Sequence, residues 1–147
     1  MGSDDSRTIL AFDVGGRRIG VAVANTVARI ASPLTTVIND DGVFDTIARI
    51  LDEQHAIAVV LGLPRGLDGQ ETAQTHAVQQ FAGELKQHVL LQQSIPLYWQ
   101  DEAVTSRQAE AELTARGKQF VKGDIDALAA TYILEDFLHE QLSEVGL

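Results

Sequence analysis

The 147-residue sequence predicts a single α/β domain, a mixed sheet with helices on its faces. Three observations predict it. Two runs rich in β-branched and small apolar residues, Ile9 to Phe12 and Ile19 to Ala24, are separated by a short turn at Gly15-Gly16, so the chain must fold back as an antiparallel hairpin. The run "AIAVVLGLP" is apolar without alternation, the pattern of a strand buried inside a parallel sheet. In the second half of the chain, strands alternate with segments of helical periodicity, which indicates parallel connections.

The elements follow in order. After the hairpin, Val43, Phe44, Ile47, Ala48, Ile50 and Leu51 fall at helical spacing. The buried strand then runs out into "GLPRGLDGQ", a loop punctuated by glycine and proline. A second helix carries Ala77, Val78, Phe81, Ala82 and Leu85 on one face. "IPLYWQ" is the next strand, ending at Asp101-Glu102. Thr105 with Gln108 three residues later matches a capping box, and opens a helix to about Arg116. "GKQFVKGD" reads as a basic loop, and the last helix spans Ile125 to about Leu142 with Leu128, Ala129, Tyr132, Ile133 and Phe137 inward. There is no repeat, linker or low-complexity tract.

Composition narrows the function. The chain has no cysteine, so a disulfide framework and a thiolate metal site are excluded. Its longest apolar runs are far short of a membrane span, and the start "MGSDDSRT" is polar. A cytoplasmic protein with no membrane association is expected, with residues 1–8 flexible or partly vector-derived. Eleven basic against twenty-one acidic residues give a net charge of −10. That disfavours broad nonspecific binding to nucleic acid, which rests on counterion release at basic patches, but it leaves room for a local basic groove. The four histidines, His55, His76, His88 and His139, show no ligand spacing.

Four acidic residues stand where charge is costly. Asp13 ends the first strand, and Asp101 and Glu102 end "IPLYWQ". Asp126 lies in the first turn of the last helix, with Ala129, Ala130 and Ile133 at i+3, i+4 and i+7; it should therefore point towards the sheet. Singly, each has a bland role. An Asp before glycines is a turn former, an acid in a first helical turn complements the helix dipole, and "DE" before a capped helix is a polar loop. Together they are harder to dismiss, because strand ends and following helix N-termini converge on one edge of an open α/β sheet. Carboxylates gathered there repel unless cations lie between them. Mg²⁺ or Mn²⁺ takes oxygen ligands, and a pair about 4 Å apart can clamp a phosphodiester during an in-line displacement.

Five motifs, "FDVGGRRIGVAVA", "ASPLTTV", "VVLGLPRGLDGQE", "QDEAVTS" and "DIDALAATYIL", occur in the order found in the YqgF/RuvX family, which this chain resembles from about Ile9 to Leu138. Members of that family go by the names Holliday junction resolvase and pre-16S ribosomal RNA nuclease. The resemblance implies a ribonuclease H-like fold, a mixed five-stranded sheet whose first three strands are antiparallel. "ASPLTTV" (Ala31 to Val37) would supply the third strand. It further implies a metal-dependent nuclease acting on precursor ribosomal RNA or branched DNA. Asp13, Glu102 and Asp126 are then catalytic, and Asp101 joins them as a metal ligand. Arg18, Thr105 and Ser106 stand at motif positions suited to phosphate contacts; Arg17, Arg65 and Lys122 are further nucleic-acid candidates. A resolvase is expected to act as a two-fold homodimer.

Two other readings stand beside this one. Ala103 occupies a position where the family usually has arginine, which favours a nucleic-acid- or ribosome-associated binding protein with little catalysis. "DVGG" also resembles the first phosphate loop of actin-like ATPases and sugar kinases. Those enzymes close two such domains on ATP, and this length supplies one.

Overall fold

The hairpin forms where the two apolar runs meet the glycine pair. β1 (Thr8–Val14) and β2 (Arg18–Asn25) pair antiparallel, with Asp13 opposite Gly20. The turn closes through the Gly15 N–H, which donates to the Arg18 carbonyl at 3.0 Å. A Cβ on Gly15 would come within 2.6 Å of that carbonyl oxygen, whereas one on Gly16 would meet nothing within 4 Å. Only the first glycine is sterically required. Asn39 buttresses the turn: its side-chain amide donates to the Gly15 carbonyl and its backbone N–H to the Arg17 carbonyl, both at 2.8 Å.

This computed structural model describes residues 7–66, 68–102 and 122–147, with side chains of the last segment from residue 125 onward. β3 (Ala31–Ile38) adds antiparallel to β2, while β4 (Ala56–Pro64) and β5 (Leu97–Glu102) add parallel on the other side. The sheet order is β3-β2-β1-β4-β5. This is the mixed five-stranded sheet with three antiparallel strands first. The unalternating run "AIAVVLGLP" is β4, whose buried residues Ala58 to Leu63 face both layers of the core.

Strand alternation sorts the core into two unlike halves. On one face Leu10, Phe12, Ile19, Val21, Val59 and Leu61 pack against α1 (Val43–Glu53) and α2 (Ala73–Leu85). α2 begins at a capping box between Thr72 and Thr75 and continues through a π-helical turn, Lys86–Leu90, into a last helical turn, Leu91–Gln93. On the other face the sheet presents small residues, Ala11, Ala22, Ala24 and Ala58, to α3 (Lys122–Glu140). A short α4 (Leu142–Val145) follows. With so little side chain in the way, α3 settles onto the strands. A Cβ on Gly20 would lie 1.9 Å from the carbonyl oxygen of Asp126, a distance no side chain can occupy.

Several expected boundaries shift. α3 starts at Lys122 rather than Ile125, so the end of "GKQFVKGD" is helical and Asp126 stands in the second turn. Leu134 and Leu138 join its buried face, while Leu128 and Tyr132 are half-buried. Residues 7 and 8, expected outside the fold, belong to it: Thr8 pairs with Asn25, and the Arg7 N–H donates to Thr26 Oγ1 at 3.1 Å. The helix expected from Thr105 to Arg116 lies outside the described residues. Among the described residues no helix is long and apolar enough to cross a membrane.

Gly20→Ala is expected to cost at least about 2 kcal/mol through overpacking against helix backbone, a fall in Tm of about 4–8 °C for a domain of this size. Gly16→Ala, with open space around it, serves as the control. A Gly20→Ala protein melting with the wild type would refute the close seat of α3.

Candidate active site

Asp13 occupies the one position in β1 where a carboxylate faces the small-residue side of the sheet near its open end. Its neighbours Phe12 and Val14 point into the opposite core half, so alternation turns Asp13 towards α3. Phe12 pairs with Leu61 of β4, and the next residue on β4 is Gly62. A Cβ on Gly62 would come within 2.9 Å of Glu102 Oε2 and 2.5 Å of Ile133 Cδ1. The bare backbone at Gly62 therefore leaves the space that the Glu102 carboxyl fills as it reaches over β4 from the end of β5.

The carboxyl groups of Asp13 and Glu102 meet in a hydrogen bond. Burial raises the Asp13 pKa well above the ordinary aspartate range; the Glu102 charge, the hydrogen bond to Glu102 and the Asp126 charge raise it further. In that contact Asp13 keeps its proton at pH values where an exposed aspartate is ionised.

Asp126 completes the group differently. Its backbone carbonyl rests over Gly20, and its carboxylate accepts a hydrogen bond from Arg18 Nε at 2.6 Å. Arg18 and Gly20 are two residues apart on β2, so they share the face that α3 covers. The arginine expected to contact phosphate is thus the counter-ion of the third carboxylate. Among the described residues no three acidic or histidine side chains are grouped as a metal shell. The arrangement is a half-buried pair, Asp13 and Glu102, with Asp126 close enough to raise Asp13 yet engaged by Arg18.

Asp101 is not brought to this group. Alternation along β5 points it away from Glu102, and its side chain, 74% exposed, takes Arg65 Nε at 3.1 Å. Arg65 also donates to the Gly69 carbonyl, which ties the β4–α2 loop to the end of β5. Arg17 is exposed on the hairpin turn and has no ion pair among the described residues. Thr105 and Ser106, like Ala103, lie outside the described residues; Lys122 opens α3, and its side chain lies outside them too. A cleft of about 690 Å³ between β3 and α1, lined in part by Thr36, Arg49 and Glu53, includes none of Asp13, Glu102 and Asp126. Sequence reasoning missed Gly20 and Gly62 as positioning residues. A glycine inside a strand pattern is a sign of close backbone approach, and that signal was present at both.

Comparison with known proteins bears on the family and the fold. The family model RuvX, described as Holliday junction resolvase, matches residues 7–140. A protein of Shewanella oneidensis named "Putative pre-16S rRNA nuclease" is 33% identical over 95% of this chain and 99% of its own length. Relatives of the same name in a Sulfurihydrogenibium species and in Chloroflexus aurantiacus are 37% and 38% identical, covering 88% and 95% of this chain and 88% and 91% of theirs. Among solved structures, Thermus thermophilus RuvC in complex with a Holliday junction superposes with a TM-score of 0.57 at 14% identity, over 92% of this chain and 97% of that one. The fowlpox virus resolvase bound to Holliday junction DNA gives 0.52 at 10% identity, over 95% and 99%. The fold is ribonuclease H-like.

The raised Asp13 pKa has a consequence for stability. A carboxyl that folding holds in its neutral form stabilises the protein at low pH, and that contribution is lost as pH rises through the raised value. In EDTA, Asp13→Asn is expected to melt with the wild type at about pH 4 and above it at about pH 8. A Tm difference that stays constant over that range would argue against a raised Asp13.

Proposed function

The chain belongs to the RuvX family, and on that premise we propose that it is a divalent-metal-dependent nuclease hydrolysing phosphodiester bonds in structured nucleic acid. Its substrate is the 5′ region of precursor 16S ribosomal RNA, a four-way DNA junction, or both. The observation that carries this reading is the half-buried Asp13–Glu102 pair, two like acids held together where a shared proton or a cation relieves their repulsion. Cytoplasmic placement follows from such a substrate.

The donor chemistry suits Mg²⁺ or Mn²⁺, hard ions that take carboxylate oxygens. Asp13 and Glu102 would hold the ion, giving up their shared proton to solvent, and Asp126 would join them by exchanging Arg18 for it. Such an ion supplies Lewis acidity to the phosphodiester and acidity to the attacking water. The protein's own contribution is positional. β1 and β5 hold the two carboxylates on rigid strands, and Arg18 orients Asp126 through its hydrogen bond. Arg17 and Arg65 offer positive charge at the same end of the sheet for the phosphate backbone. On a four-way junction the same chemistry needs two copies of the chain.

A second reading, binding without efficient cleavage, draws on the Arg18–Asp126 ion pair, which occupies the third carboxylate. One experiment separates the two. Four-way junctions, single-stranded RNA and precursor ribosomal RNA are incubated with the protein in EDTA, Mg²⁺ or Mn²⁺. Changes outside a metal's own ligands already cost about 10–100-fold, so Asp13→Asn and Glu102→Gln are each expected to lose at least about a hundredfold in cleavage. Asp101→Asn should change little. Wild-type cleavage by Asp13→Asn would sink the nuclease assignment, and binding without cleavage in either metal would favour the second reading.

A further inference from the structure

At the same end of β1 as the carboxylates, but on the opposite face of the sheet, the Gly15-Gly16 turn and α2 enclose a cleft of about 300 Å³, the size of the smallest ligand sites. Val14, which follows Asp13 on β1, lines it, so the cleft and Asp13 adjoin at the end of one strand, on its two faces. Its walls are unlike those of the larger cleft at β3. Gln74 and Gln80 project from α2, both exposed and neither with a hydrogen bond among the described residues. Between them Phe81 closes the inner side, its ring held against Phe44 at a centroid distance of 5.2 Å.

Each carboxamide offers a donor and an acceptor, and the phenyl ring offers an apolar surface. Together they suit a flat heterocycle with donor and acceptor edges. Glu84 also lines the cleft, and its charge would repel a phosphate seated inside. The positive charge lies on the turn, at Arg17. Gly16 leaves that turn bare, with no atom near the position its Cβ would take, and a bare backbone is where a ligand strand can approach closely.

We propose that this cleft is a nucleobase site, taking one unpaired base next to the scissile phosphate. The strand crosses the glycine turn with its phosphate on Arg17, and the base enters between Gln74 and Gln80 against Phe81. A base within a duplex has its edges occupied and cannot enter. The site therefore gives the nuclease a preference for unpaired nucleotides beside the cleavage position. This inference rests on the nuclease reading above and adds the feature of the substrate that is recognised.

Two variants test it, both at exposed positions of α2 so that the fold is kept: Ala77→Trp, which fills the cleft, and the double change Gln74→Ala, Gln80→Ala. A fluorescein-labelled single-stranded oligoribonucleotide and the same sequence in a fully paired duplex are titrated in EDTA, with Tm recorded for each protein. Both variants are expected to bind the single strand about tenfold more weakly, as loss of one base contact implies, with duplex binding unchanged. In Mn²⁺ their cleavage should lose its preference for sites beside unpaired nucleotides. Folded variants that retain wild-type single-strand affinity and cleavage preference overturn the proposal. Asp13→Asn, run in parallel, reports on the nuclease reading alone: it should bind the single strand as the wild type does and fail to cut it. If it cuts, that reading falls while the titration still decides the cleft. A wild-type protein that binds neither oligonucleotide overturns the cleft proposal, while the nuclease reading stands or falls on the cleavage assay.

Discussion

The close seat of α3 on β2 is the constraint on which the rest of the structure depends. At Gly20 the helix backbone comes so near the strand that a single methyl group would strike the Asp126 carbonyl. Such an approach is possible because the sheet face beneath the helix is alanine and glycine, from Ala11 and Ala58 to Ala22 and Ala24. Dense packing leaves little freedom for the elements it joins. The seat thus fixes Asp126 against Arg18, a residue 108 positions earlier in the chain, and fixes both beside Asp13, directly across the hairpin from Gly20. The same face carries Gly62, where the missing side chain admits Glu102 and Ile133 together.

Assembling the group this way works against stability. Asp13 loses hydration and faces two other acids, a combination that favours the neutral form and would be replaced by apolar residues if stability alone mattered. Arg18 supplies a cation to Asp126, while Asp13 and Glu102 meet each other in a hydrogen bond. Local conflicts of this kind concentrate at functional sites, because the charge arrangement suits a ligand rather than the empty protein. Across β5 the pattern inverts: Asp101 faces solvent and pairs with Arg65, an exposed contact whose worth lies in fastening a loop more than in stability.

The net charge of −10 fits the same picture. A protein of that net charge gains little from nonspecific contact with a phosphate backbone. Under the proposed function, Arg17, exposed on the hairpin turn, would meet a strand at the carboxylate end of the sheet, while Arg18 and Arg65 are held by Asp126 and Asp101. Acidic composition and a nucleic-acid substrate are then compatible, because the field near the site matters more for association than the total.

The local elements were legible in the sequence because they are written in local patterns. Residue spacing alone located the hairpin at Gly15-Gly16, β4 as an unalternating apolar run and the helical periods of α1 and α2. The third strand came through family resemblance, since edge strand β3 is only partly buried and has little apolar pattern to read. The start of α3 was misplaced because Lys122, Gly123 and Asp124 carry no apolar period. Asp13, Glu102 and Asp126 were identifiable as acids at strand ends and on an apolar helix face. Which of Asp101 and Glu102 turns inward was not, since that depends on the register of β5 against β4. Nor could the sequence show that Arg18 serves Asp126, or that Gly20 and Gly62 make room for the group. Those facts belong to pairings between residues far apart in the chain, and only the packing of helix on sheet decides them.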